Sequence, residues 1–170
     1  PIPGVDRYRW IEPRFMRHVT SRESPFRLEA LQAAWLNGAG FLAWENLFGF
    51  WNPFSPREAE ILRRMAMIYR AIPEFVRSKT WEPHAPVLQK GVFASRWTLP
   101  NSGPYSGNIW TVVNRTDRPV TGAQLSIVYQ GQRYYNLWTG EELEPEGPTV
   151  GRKSGKAVLS FALEAQGFAA

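Results

Sequence analysis

The segment Trp44-Glu45-Asn46-Leu47-Phe48-Gly49-Phe50-Trp51-Asn52 sets one carboxylate and two amides among four aromatic side chains. Aromatic faces beside hydrogen-bonding groups suit a sugar, because a pyranose ring presents apolar C–H faces and a rim of hydroxyls. A carboxyl held against Trp44 and away from bulk water has its pKa raised, the property a general acid needs. The candidate roles are Glu45 as a catalytic or sugar-binding carboxylate, Trp44 and Trp51 as stacking platforms, and Asn46 and Asn52 as hydroxyl partners. The same spacing also accommodates a structural Glu45, ion-paired beneath aromatics that simply pack. Glycoside hydrolysis normally uses a second carboxylate across the scissile bond. Asp6 and Glu12 are the other carboxylates near a predicted strand, and Glu12, followed by Pro13, reads as a structural turn residue. His18 and Arg22 fall at the end of that strand, where they could contact a substrate hydroxyl or carboxylate.

Composition narrows the remaining chemistry. The 170 residues include no cysteine, which removes disulfides, thiolate metal sites, iron–sulfur clusters and thiol catalysis. Two histidines, His18 and His84, cannot build a multi-histidine centre, so no metal is expected. Phosphate-binding glycine loops, a dinucleotide fingerprint and a Ser–His–Asp constellation are absent from the sequence, and no cofactor is expected. The net charge of +5 divides as 12 basic against 9 acidic residues over 1–85 and 8 against 6 over 86–170. Interleaved signs without a basic stripe describe a solvated surface, and no nucleic-acid partner is expected. The longest apolar stretch, Gly38 to Trp51, is broken by Glu45 and Asn46, so no membrane span is expected.

These residues need elements to hold them. Ser24-Pro25 offers an N-cap and a proline at the first helical position, Leu28, Leu31 and Trp35 recur at helical spacing, and Asn37-Gly38 ends the run. Ser55-Pro56-Arg57-Glu58 carries the capping-box pattern, with Ile61, Leu62, Met65, Ile68 and Tyr69 on one apolar face. Pro73 bounds that helix, with a further turn through Phe75 and Val76. Between the helices, the apolar run 38–44 reads as a buried strand, and a second lies near 15–20, the rhythm of a parallel α/β fold. Loops after such strands form the ligand-binding face. Beyond residue 85 the pattern turns to short strands at 91–97, 108–114, 123–129, 133–138 and 157–163, parted by turn residues such as Gln130-Gly131 and Thr139-Gly140. Short strands at this spacing read as a small antiparallel sandwich, with 141–156 as an exposed loop. Two prolines stiffen Trp81-Glu82-Pro83-His84-Ala85-Pro86 into a connector, and Asn114-Arg115-Thr116 matches a glycosylation sequon.

Taken together, Gly40-Phe41-Leu42-Ala43-Trp44-Glu45-Asn46, Gly49-Phe50-Trp51-Asn52 and Arg57-Glu58-Ala59-Glu60-Ile61-Leu62-Arg63-Arg64 resemble the last strand–loop–helix unit of a glycoside-hydrolase-type (β/α)8 barrel. Arg133-Tyr134-Tyr135-Asn136-Leu137-Trp138-Thr139-Gly140 resembles a motif of the β-sandwich that follows many such barrels, with Asn136 where aspartate is usual. The segment from Phe161 to Phe168 fits the last strands of that sandwich. The resemblance implies an α/β plus all-β chain: barrel end over 1–80, connector over 81–90, and sandwich over 91–170. It implies the C-terminal part of a carbohydrate-active enzyme acting on a carbohydrate substrate. Fewer than 85 residues cannot complete a barrel of about 200 residues or more. Exposed strand edges are therefore expected to seek the N-terminal barrel portion or a second copy. The alternative reading is a non-catalytic carbohydrate-binding or structural interaction module.

Overall fold

In a computed structural model, residues 1–5, 17–19, 27–42, 54–99, 107–147 and 155–170 are described, with 17–19 and 42 described through the backbone. They form three helices and ten strands, mostly antiparallel.

The helical layer starts with β1 (Arg17–Val19), α1 (Arg27–Asn37) and β2 (Gly40–Leu42). The two strands pair in parallel, Arg17 opposite Gly40 and Val19 opposite Leu42, so α1 is the crossover of a β–α–β unit. Gly38 takes φ 59°, and the amides of Gly38 and Ala39 bond back to the carbonyls of Trp35 and Ala34. This left-handed exit is what the Asn37-Gly38 pair foretells. Helix α2 (Pro56–Ala71) starts in the expected capping box. The Glu58 amide donates to Ser55 Oγ (3.2 Å) and the Ser55 amide donates to Glu58 Oε2 (2.7 Å). The short α3 (Pro73–Arg77) follows as the resumed turn.

A four-stranded sheet is ordered β10 (Phe168–Ala169), β5 (Gly107–Asn114), β4 (Val92–Leu99), β3 (Glu82–Ala85), antiparallel throughout. A second sheet pairs β6 (Ala123–Tyr129) with β9 (Gly155–Ser160), and a hairpin pairs β7 (Tyr134–Asn136) with β8 (Glu141–Leu143). The expected connector thus contains β3. Pro83 is tolerated there because β3 is an edge strand, where one ladder bond can be missing. The expected strand over 133–138 shortens to β7. The expected loop over 141–156 contains β8 and the first residues of β9.

Strand alternation divides the four-stranded sheet between two apolar clusters. Trp97, Leu99, Ile109, Val113 and Phe168 join Leu31, Trp35, Ile61, Met65, Ile68 and Phe75 of the helices. Val92, Ala94, Val112 and Ala169 join Leu125, Ile127, Ala157 and Leu159 of the β6–β9 sheet. Hydrogen bonds stitch the helices down. Trp35 Nε1 donates to the Ala169 carbonyl (2.9 Å), Gln32 Nε2 to Asn114 (2.9 Å) and Trp81 Nε1 to Leu36 (3.3 Å).

Candidate functional site

Two places in the fold deserve a chemical reading: the carboxyl ends of the parallel strands and a cleft in the antiparallel part. At the first, β1 and β2 run in one direction, so their carboxyl ends lie at one end of the pair. Arg22 follows β1 in sequence, and Trp44, Glu45, Asn46, Trp51 and Asn52 follow β2; all six lie outside the described residues. His18 belongs to β1, its backbone opposite Phe41, and its side chain is outside the description. Asp6 and Glu12 are outside it as well.

The second place is a cleft of about 580 Å³ bordered by β3, β4 and β5 on one side and by residues 125–137 on the other. Its geometry follows from the sheet register. Ala85, Ala94, Val112 and Ala169 form one transverse row across the four strands, and this small-residue row packs on Leu125, Ile127 and Leu159. The next row outward is Glu82, Arg96 and Trp110, and beyond it Thr98 faces Asn108. The face therefore grades from an apolar floor to a charged and aromatic wall. Arg96 Nη2 reaches Glu82 Oε2 at 2.5 Å, and Thr98 Oγ1 bonds Asn108 Oδ1 at 2.9 Å. Gln132 and Tyr134 line the cleft as well, and Tyr135, the neighbour of Tyr134 on β7, lies under the Arg133 guanidinium (5.3 Å to the ring centroid). Burial, and after it the neighbouring Tyr129, hold the Tyr134 phenol above its ordinary pKa, so it stays a neutral hydroxyl.

A backbone irregularity builds that wall. Glu82 pairs with Arg96 and Ala85 with Ala94, three steps along β3 against two along β4. One extra residue is a bulge, and it is accompanied by φ 53° at His84. In a regular strand, residues three apart point to opposite faces. The bulge brings Glu82 to the face that Ala85 occupies, while His84 sits edge-on to Phe93 of the other face (6.1 Å between ring centroids).

Two sequence motifs resolve into structural devices. In the Tyr134–Gly140 segment, buried Asn136 accepts the Trp138 amide on Oδ1 (3.0 Å), and its carbonyl accepts the amides of Thr139 (3.2 Å) and Gly140 (2.7 Å). This is an Asx-type turn, which asparagine serves as well as aspartate. The turn delivers Trp138 onto Phe168 (5.3 Å, 11° between planes) and against Trp35 (5.5 Å). Arg64 of α2 donates to the Trp138 carbonyl at 2.7 Å. Asn114, the sequon asparagine, is fully buried. Its Nδ2 donates to the carbonyls of Arg118 and Glu164 (2.8 Å each), and its Oδ1 accepts from the Thr116 amide and hydroxyl. In the folded chain this nitrogen is engaged and inaccessible to a glycosyl donor.

Charges elsewhere serve the framework. Arg27, almost wholly buried, lies 3.4 Å from Glu58 and over the Phe54 ring, tying α1 to the start of α2. Hydrogen bonds from Arg63 and Arg64 hold the exposed Glu60 carboxyl at a pKa of about 2. A two-bond fork from Arg133 holds the Glu142 carboxyl below its ordinary pKa, and the Arg133 guanidinium is itself raised. No group of three or more His, Asp or Glu placed to hold a metal occurs among the described residues. None of their helices is long and apolar enough to cross a membrane.

The cleft was not evident from spacing: its signals, a bulge and a row of small residues, carry no periodicity. Comparison of the chain with protein-family models and with curated proteins returned no match.

Proposed function

We propose that this chain is the C-terminal part of a carbohydrate-active enzyme that hydrolyses glycosidic bonds and is inactive alone. The observation that carries the reading is the parallel β1–β2 pair joined through α1, with the Trp44–Asn52 cluster following the carboxyl end of β2. Ligands of parallel α/β folds bind outside the carboxyl ends of strands. On this reading α1 and α2 are the last helices of a (β/α)8 barrel, and the antiparallel part is its appended β-sandwich. A groove of about 550 Å³ between Phe41 and the α2 residues Leu62, Met65 and Tyr69 supports it, being a place where a neighbouring β/α unit can seat. The remaining strands and a partner carboxylate then belong to preceding polypeptide. Glu45 serves as the catalytic carboxylate, Trp44 and Trp51 stack on sugar rings, and Asn46, Asn52, Arg22 and His18 hold substrate hydroxyls.

Hydrolysis of aryl glycosides and oligosaccharides by the full-length polypeptide from its source, with and without Glu45→Gln, tests this. Turnover is expected to fall about 10²–10⁴-fold, the usual contribution of a general acid or base, with the melting temperature unchanged. Unchanged turnover in Glu45→Gln, or no hydrolysis by the full-length polypeptide, refutes the assignment.

A further inference from the structure

We propose that the cleft between the antiparallel sheets is a second saccharide site, in which Trp110 supplies the apolar platform and Glu82, Arg96 and Asn108 bind hydroxyls. The choice of a saccharide rests on the carbohydrate reading above; the existence of a ligand site rests on the cleft itself.

Four observations converge. The volume, about 580 Å³, lies within the roughly 300–1,000 Å³ of small-molecule sites and accommodates one or two sugar rings. The lining joins the aromatic residues Trp110 and Tyr134 to planar polar groups (Arg96, Glu82, Asn108, Gln132), the combination a ring with apolar faces and a hydroxyl rim requires. Donors and acceptors are both present. The guanidinium and the amide nitrogens donate, the Glu82 carboxylate accepts, and the Tyr134 hydroxyl does either.

The fourth observation is the bulge. Placing Glu82 beside Arg96 requires an inserted residue and a left-handed backbone at a non-glycine residue, His84, an arrangement that costs roughly 1–3 kcal/mol. Bulges gather where a side chain must be re-aimed, and here the side chain re-aimed is a carboxylate, turned onto the cleft wall. The Glu82–Arg96 pair is about half exposed, so a ligand can reach both partners.

The site is tested on the 170-residue chain by titrating maltohexaose, cellohexaose, mannohexaose and a hexauronate, following amide and indole NMR resonances and heat. The Trp110 indole signal is assigned by its disappearance in Trp110→Phe. Saturable binding of at least one probe is expected, with shifts centred on Trp110, Arg96 and Tyr134. Glu82→Gln and Asn108→Ala, both on the exposed rim, are each expected to weaken it about tenfold while leaving the melting temperature in place. Glu45→Gln is expected to leave it unchanged. Absence of binding by all four probes up to roughly 10 mM, well above a Kd of about 1 mM, overturns the site. So does binding that survives both rim variants. Binding lost in Glu45→Gln but kept in the rim variants also overturns it, while leaving the hydrolase reading intact. Conversely, cleft binding combined with no hydrolysis by the full-length polypeptide removes the enzyme and keeps the site.

Discussion

The two faces of the four-stranded sheet are built from alternate residues of the same strands and have opposite characters. Toward the helices, the face is aromatic and filled. Trp97 meets Phe75 edge-on at 5.1 Å, Phe75 meets Trp35 at 6.3 Å, and Trp35 meets Trp138 at 5.5 Å. Toward β6–β9 the corresponding row is Ala85, Ala94, Val112 and Ala169, too small to fill the space out to the strand ends. Large side chains fasten one layer, and small ones leave a cavity beside the other. One sheet thus serves both as a structural wall and as the back of a binding cleft. The period-two alternation of its strands largely separates these duties, with Leu99 and Ile109 of the helix-facing cluster also bordering the cleft.

This division is broken most severely at Trp35. It is fully buried, bonded through Nε1 to Ala169, and ringed by Tyr69, Phe75 and Trp138. Trp35→Ala is expected to cost about 3–5 kcal/mol by denaturant unfolding, enough to undock the helical layer. On the other face, Ala94→Leu is expected to cost about 1–3 kcal/mol, because Ala94 is buried and, unlike Ala85, does not border the cleft. Ala85→Leu borders the cleft and should cost clearly less. Equal penalties for the two would mean that the cleft is closed in solution. The smallest effect has the opposite sign. Thr111 is wholly buried on the helix-facing side, and its hydroxyl has no hydrogen-bond partner among the described residues. Thr111→Val removes that stranded group at nearly constant shape, and the melting curve should show a gain of about 1 kcal/mol.

Where local chemistry decides structure, it could be read directly. Ser55 and Glu58 determine the start of α2, Gly38 ends α1, and the alternation of Leu125, Ile127 and Tyr129 marks β6, because each signal acts within a few residues. Elements that depend on distant partners were harder. Two prolines made 82–86 look like a stiff linker, since nothing nearby shows that β4 offers β3 an edge where proline is harmless. Asn114 matches a glycosylation sequon, and its buried partners at Arg118 and Glu164 are invisible in that three-residue motif. The parallel pair of β1 and β2 was legible as architecture, while the aromatic segment Trp44–Asn52 that follows it lies outside the described residues. The cleft was not legible, since Glu82 faces it only through a bulge.

The last strand has a consequence for how the chain is made. The Trp35 indole bonds to a carbonyl 134 positions further along, and the Leu137 amide bonds to Ala170. A ribosome adding about 5–20 residues per second needs roughly 7–27 s to travel from one partner of the Trp35 bond to the other. Through that interval the Trp35 indole lacks its acceptor, and α1 can be held on the sheet only by β4 and β5, where Gln32 finds Asn114. Residues 168–170 act as a latch that can fasten only after the elements from β1 to β9 have been synthesised.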